Sequence, residues 1–338
     1  MQLVNGVATC TVSTLPVGTN PISAQYAGDV DYAPSSSFPR TQTVEQGTST
    51  TLLISSRNPA QFLQTIQFAA TVTSAYGTPA GTVSFESNGL VLGIGTLSRG
   101  IATFSSSALP VGTESITAVY KGTTSYAAST SAALAEQVTP AESQVLLSSA
   151  LNPAHYGQSI ALPVTVSNPN GGLPSGALTL MSGTAVVGNG NLVNGSGTLY
   201  LYGPEFSYPV SGQYSLTAVY AGNADFLGAT SPVLIETVNP ATTATTLTSS
   251  LNPSNVLSRV TFTATVKAGS GPAPGGEVTF MEGRSVLGSG ALSSSGVATF
   301  TAGEMTAGTH VITAYYVGSP NDLSSDSAAY SQVVKPLL

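Results

Sequence analysis

Along SITAVY, apolar and polar positions alternate, with Ile116, Ala118 and Tyr120 on one side of an extended chain and Ser115, Thr117 and Val119 on the other. Successive side chains of a β-strand point to opposite faces, so this pattern predicts a strand with one face buried. The alternation recurs with Ile22, Ala24 and Tyr26, with Leu216, Ala218 and Tyr220, and with Ile312, Ala314 and Tyr316. No stretch sustains the i, i+3, i+4 apolar stripe of a helix. Clusters of Gly, Pro, Asn and Ser break the chain about every 8 to 12 residues, the rhythm of an all-β sandwich.

The strands are copied. Tyr26, Tyr120, Tyr220 and Tyr316 lie 94, 100 and 96 residues apart, and Asn58, Asn152 and Asn252 of RNPA, LNPA and LNPS lie 94 and 100 apart. A glycine before a strand supplies a third landmark at Gly6, Gly100, Gly197 and Gly296, in GVATC, GIATF, GTLYL and GVATF. Each tyrosine precedes the next Asn-Pro by 32 residues, whereas glycine and tyrosine are 20, 20, 23 and 20 apart, which places an insertion in the third copy. Such self-similarity marks a chain of folded units. Seven strands are expected in the second unit, roughly TTLLISS, TIQFAATVT, GTVSFES, LVLGIGT, IATFSSS, ESITAVYK and STSAALAEQV, in two sheets around one core.

The Asn-Pro after the first strand, followed by TPAGTVSFESNGLVLGIGTLSRGIATFSSSALPVGTESITAVYKG, resembles the bacterial immunoglobulin-like domains found in tandem in large surface and secreted proteins. The resemblance covers almost the whole chain, with VSNPNGGLPSGALTLMSG of the third unit departing most. It implies tandem Ig-like β-sandwiches serving as extracellular or cell-surface spacers, stalks or adhesive modules, and the constant 32-residue joints, marked by Pro140 and Pro240, imply short linkers and an extended rod. The frame sets domains at 46–139, 140–239 and 240–335, with 336–338 opening onto a further unit. Residues 1–45 are expected to be the C-terminal half of a unit, its last three strands, because Met1 falls where other units have Gly95, Gly190 and Gly290. Further units of a longer polypeptide are the expected completion, or strands added by another subunit.

Composition narrows the partners. Charged residues make up 7% of the chain, against about 25% in ordinary proteins. The 8 basic residues are scattered and form no phosphate-neutralising stripe, which argues against nucleic acid. Neutral Ser- and Thr-rich faces would allow homotypic packing into a fibre or layer. No apolar run approaches the roughly 18 residues of a membrane span. The single cysteine, Cys10, is expected to be a small core residue.

Candidate chemistry is sparse. His155 is expected at the surface, as is His310, whose place other copies fill with Glu114 and Gln213. No G-x-S-x-G elbow occurs. The G-x-G pairs Gly93/Gly95, Gly188/Gly190 and Gly288/Gly290 lack the third glycine of a dinucleotide site and are expected to form a structural turn. No cofactor is implied. Asp29 and Asp31 of YAGDVDY, with Asn223 and Asp225 of YAGNADF, offer hard oxygens to calcium, but Thr123 and Ser125 at the same positions favour a turn-capping role. The insertion in LYLYGPEFSYPVSGQY gathers Tyr200, Tyr202, Phe206, Tyr208 and Tyr214 between the fifth and sixth strands. Such a cluster suits sugar stacking or packing at the sandwich end. The leading expectation is a non-catalytic structural or adhesive array. The alternatives are a carbohydrate-binding module using this loop, or a spacer in a large secreted enzyme.

Overall fold

In the computed structural model, described for residues 1–201 and 208–337, every regular element is a strand. The chain divides into two compact units, Met1–Ala141 and Glu142–Leu338.

In the first unit, residues 1–45 hold only β1 (Gly18–Ile22), β2 (Gln25–Tyr26), β3 (Ser35–Ser36) and β4 (Arg40–Val44), with β1 antiparallel to β4 and β2 to β3. The remainder is a sandwich of β5 (Thr50–Ser55), β6 (Ala60–Gln61), β7 (Ile66–Thr73), β8 (Thr82–Ser87), β9 (Leu90–Thr96), β10 (Ile101–Ser106), β11 (Gly112–Tyr120), β12 (Ser129–Thr130) and β13 (Leu134–Thr139). One sheet has the order β10-β7-β5, and the other β6-β13-β11-β8-β9 with β12 beside β11. The seven expected strands are present. The last is interrupted, because Ser131 leaves the ladder to bond the backbone of Ala118 through its hydroxyl at 3.0 Å.

The second unit repeats this topology twice. The third sandwich comprises β14 (Gln144–Leu147), β15 (Ala154–His155), β16 (Ile160–Ser167), β17 (Gly176–Ser182), β18 (Ala185–Leu192), β19 (Ser196–Leu201), β20 (Gly212–Tyr220), β21 (Ala229–Thr230) and β22 (Leu234–Asn239). The fourth comprises β23 (Thr243–Ser249), β24 (Ser254–Asn255), β25 (Val260–Ala268), β26 (Glu277–Glu282), β27 (Ser285–Ala291), β28 (Val297–Ala302), β29 (Gly308–Tyr316), β30 (Ser325–Asp326) and β31 (Tyr330–Lys335).

Alternation decides what each face buries. On β11, Ile116, Ala118 and Tyr120 are sealed between the sheets, and they meet Phe68, Ala70 and Val72 of β7 and Val83 and Phe85 of β8. The fourth core repeats these roles with Phe262, Phe280, Ile312 and Tyr316. Each large side chain so buried contributes roughly 1.5–3 kcal/mol.

Residues 1–45 have no such core, and Leu3, Val4, Val7, Val12 and Ile22 are all exposed. Of the three expected strands, the last two pair as β1 and β4, but the first forms only the Val4–Val7 bridge. The reason is register: in the complete sandwich this strand, β10, pairs with β7, whose counterpart the segment does not contain. Cys10 stands where Phe104 stands 94 residues later, and it is exposed rather than buried, since among the described residues no second sheet faces it.

Two further expectations are corrected. The G-x-G pairs form no turn; Gly93 and Gly95 lie inside β9, Gly188 and Gly190 inside β18, and Gly288 and Gly290 inside β27. A Cβ on Gly93 would sit 2.2 Å from the ring of Phe104, and one on Gly288 at the same distance from Phe300. The glycines therefore make room for an aromatic ring, which stacks on Phe85 at 5.7 Å and on Phe280 at 5.6 Å respectively. The landmark glycine of the third copy is Gly195, not Gly197. Gly6, Gly100, Gly195 and Gly296 share φ of 76–80°, and Asn5, Arg99 and Asn194 before the first three are also left-handed, as a type I′ hairpin turn requires. The insertion is accordingly longer, with 25 residues from Gly195 to Tyr220 against 20 elsewhere.

Candidate functional site

The residues that recur in the copies are tied into their own sandwiches. The Tyr120 hydroxyl donates to the Ala80 carbonyl at 2.9 Å, Tyr220 to Ser175 at 3.1 Å and Tyr316 to Gly275 at 2.8 Å, each joining a buried ring to a loop some 40 residues earlier. The Tyr26 hydroxyl donates instead to Asp29 Oδ2 at 2.7 Å. The serine clamp is more local and survives in every copy: Ser37, Ser131, Ser231 and Ser327 accept from the amides of Ala24, Ala118, Ala218 and Ala314 at 2.9–3.0 Å. Its partners are 13 residues apart, so it does not depend on a second sheet.

The Asn-Pro motif has a similar explanation. Asn58 donates through Nδ2 to the Ala135 carbonyl at 2.7 Å and accepts at Oδ1 from the Gln137 amide at 3.0 Å. Asn152 does the same with Ile235 and Thr237, and Asn252 with Ser331 and Val333. The side-chain amide thus imitates a peptide unit and extends the parallel pairing of β6 with β13 past the end of the short strand. The three Asn-Pro bonds are cis.

The calcium candidates form a turn. Asp29 Oδ1 accepts from the amides of Asp31 and Tyr32 at 2.9 and 2.8 Å, and Asn223 Oδ1 accepts from Asp225 and Phe226 at 2.9 Å each. Thr123 Oγ1 repeats the contact with Ser125 and Tyr126. These are Asx- and ST-turns. The bond from Tyr26, followed by those from Asp31 and Tyr32, holds the Asp29 carboxyl below the usual carboxylate range. Asp31 and Asp225 contribute backbone amides to this arrangement. Among the described residues no group of three or more His, Cys, Asp or Glu converges as a metal site.

Both histidines are half-buried and engaged rather than free at the surface. His155 Nδ1 lies 3.0 Å from the Pro240 carbonyl. His310 Nδ1 lies 2.7 Å from Glu282 Oε1, and its Nε2 lies 2.9 Å from the Thr306 carbonyl. Two acceptors facing the two ring nitrogens call for the doubly protonated ring; the Thr306 carbonyl and then Glu282 raise its pKa against the opposing effect of burial. Cross-strand register also corrects the alignment: the residues opposite Glu136, Glu236 and Gln332 are Glu114, Tyr214 and His310, so Tyr214 and not Gln213 matches His310.

Of the aromatic insertion, Tyr202 and Phe206 lie outside the described residues. The other three face different ways. Tyr200 stands exposed on β19, opposite Ala161 of β16. Tyr214 belongs to the inward row of β20, and its hydroxyl donates to Val210 at 2.9 Å. Tyr208 is 46% exposed and meets Tyr156 edge to face at 6.5 Å. Tyr156, just after β15, is a neighbour that sequence reasoning missed. Nothing in LNPAHYG distinguishes it, since its role depends on a loop more than 50 residues away.

Comparison with known proteins agrees with this architecture. No curated protein sequence matches the chain. Solved structures that it resembles include a tetra-tandem repeat in the extending region of a large adhesion protein (16% identity, TM-score 0.40, covering 97% of this chain and 84% of that one). Another is FdeC, an Escherichia coli adhesin (17%, 0.28, 85% and 96%), and a third is a set of fibronectin(III)-like modules of Clostridium thermocellum CbhA (19%, 0.22, 57% and 95%). The model of the bacterial Ig-like domain (group 3) matches residues 1–45, 53–139, 147–239 and 247–335, and the chain therefore belongs to that family.

Proposed function

We propose that this chain is a structural or adhesive array of Ig-like repeats within a bacterial surface protein, acting without catalysis. The observation that carries this reading is how the recurrent polar residues are used. The tyrosine hydroxyls, asparagine amides and serine hydroxyls of the complete sandwiches all bond backbone of their own sandwich, so what is copied serves to hold the unit together. A surface covered mainly by neutral side chains suits lateral association with further copies. The test is location. Antibodies against this chain should label unpermeabilised cells, and brief protease treatment of intact cells should remove the label; labelling only after lysis overturns the reading.

A second reading rests on the Tyr208–Tyr156 pair, in which the exposed Tyr208 ring suits stacking on a sugar. Binding on a glycan array that disappears with Tyr208→Ala, while the unfolding midpoint stays put, would support it. An array silent for the full chain would remove it.

A further inference from the structure

One inward position carries an ionisable group that the fold does not obviously need. Glu136 on β13 and Glu236 on β22 point into their sandwiches beside Val138 and Val238, and both are 0% exposed. Apart from the nearby hydroxyls of Ser55 and Ser149, which reach no regular hydrogen-bonding geometry, their carboxyl oxygens have no partner. Leaving an ionised carboxylate buried and unpaired costs several kcal/mol, so a buried group of this kind gives up its charge instead.

The fourth sandwich shows what the site accepts. There the position is Gln332, equally buried, and its Nε2 donates to the Leu251 carbonyl at 2.8 Å, with Ser254 Oγ and the Val333 carbonyl at 3.2 Å. Leu251 precedes the Asn-Pro, as do Arg57 and Leu151 in the other two sandwiches, and Ser254 is replaced by Ala60 and Ala154. The site therefore presents backbone acceptors and calls for a donor. A carboxylate has no proton to donate; a carboxylic acid has one. The Ser55 hydroxyl stands beside Glu136 and also reaches the Arg57 carbonyl at 3.3 Å, which places that acceptor close to the glutamate.

The titratable neighbours do not supply a compensating positive charge. Opposite Glu136 on β11 is another acid, Glu114, already accepting from Ser87 and Asn88. β5 and β6 carry no charged residue, and Arg57 beside them is exposed. Opposite Glu236 on β20 is Tyr214; β14 carries no charge, and His155 on β15 sits at the register of Asn239 with its ring on Pro240.

We propose that Glu136 and Glu236 are held in the folded sandwiches as neutral carboxylic acids, each donating to the backbone carbonyl before the Asn-Pro as Gln332 does from its amide, which makes the second and third sandwiches loosen as the solution turns alkaline. Burial pushes both carboxyls above their ordinary value of 4.5, with Ser55 and Ser149 offsetting part of the effect. The folded state then keeps two protons that the unfolded chain has released. This stability is complete below pH 4.5 and is lost as pH rises through the folded values, by up to tenfold in the folding equilibrium per pH unit for each glutamate.

The experiment uses the full chain with 13C-labelled glutamate carboxyls, the infrared band of the protonated acid being followed from about pH 5.5, where ordinary glutamates are mostly ionised, into the alkaline range. A residual acid band at pH 5.5 that titrates away at higher pH, and that Glu136→Gln with Glu236→Gln abolishes, is the expected result. In parallel, the double variant should lose the fall in stability with rising pH above 4.5 that the parent shows; the His310 contribution is common to both proteins and cancels. If the double variant does not fold, the parent's band alone decides. A parent without an acid band at pH 5.5, or stability curves that run parallel in parent and variant, overturns the proposal.

Discussion

Replacing Gly93 by Ala asks whether the G-x-G of the edge strand exists to admit a ring. An ideal Cβ would lie 2.2 Å from Cε2 and 2.5 Å from Cδ2 of Phe104, whereas carbon atoms in contact sit about 3.5–4.0 Å apart. The ring must yield by more than about 1 Å. Inward movement is blocked by Phe85, fully buried and stacked against it at 5.7 Å. Overpacking of this kind costs about 1–3 kcal/mol. For a sandwich of this size, each kcal/mol lowers the melting temperature by roughly 4–8 °C. Thermal and denaturant unfolding of the chain should show the second sandwich weakened by that amount. The decisive comparison is with Phe104→Leu, which installs the residue that the third sandwich carries as Leu199. In that background Gly93→Ala should cost less, with a coupling of about 0.5–3 kcal/mol. A neutral Gly93→Ala, or equal costs in both backgrounds, would refute the argument.

Three other outcomes are expected. Asn252→Ala removes the bonds to Ser331 and Val333 and should destabilise the fourth sandwich by about 1–3 kcal/mol in denaturant titrations, with Asn252→Asp, which keeps the acceptor alone, falling between. The imidazolium of His310, its pKa raised above 6.5, should add stability that is complete below pH 6.5 and lost as pH rises through the folded value. The effect should stay below about 1 kcal/mol, since Glu282 is 40% exposed, and His310→Gln should abolish it in pH-dependent melts. Within the second unit, Gly157→Leu installs the residue found at Leu63 and Leu257, yet a Cβ there would lie 2.1 Å from Gly271 Cα, so it should separate the unfolding transitions of the third and fourth sandwiches in calorimetry.

Period-two alternation and three recurring landmarks were enough to read an all-β chain of repeated sandwiches and to place its principal strands. Burial of an alternating face is a local property, visible wherever Ile116, Ala118 and Tyr120 are written. Roles that depend on a partner far along the chain were not legible in the same way. Asn58 served only as a landmark of the repeat because its contacts are with residues 77 and 79 positions later. Gly93 and Gly95 read as a turn because what they clear, the Phe104 ring and the Thr103 carbonyl, belongs to another strand. The mismatch of Gly195 with Gly197 arose because only φ, and not the residue name, tells a left-handed turn glycine from one in a strand. The aromatic cluster of the third copy scattered, since Tyr200 and Tyr214 sit on different sheets, while Tyr156 came to Tyr208 unannounced. Nothing in the sequence marks Glu136, Glu236 and Gln332 among the polar residues of their strands, and only the second sheet makes them buried. Sequence alone determined the period, the strands and their inward faces, because these follow from neighbours two residues apart. Tertiary structure decided which polar groups are sealed, which glycines clear space and which hydroxyl meets which carbonyl, because each of these is set by a surface brought up from tens of residues away.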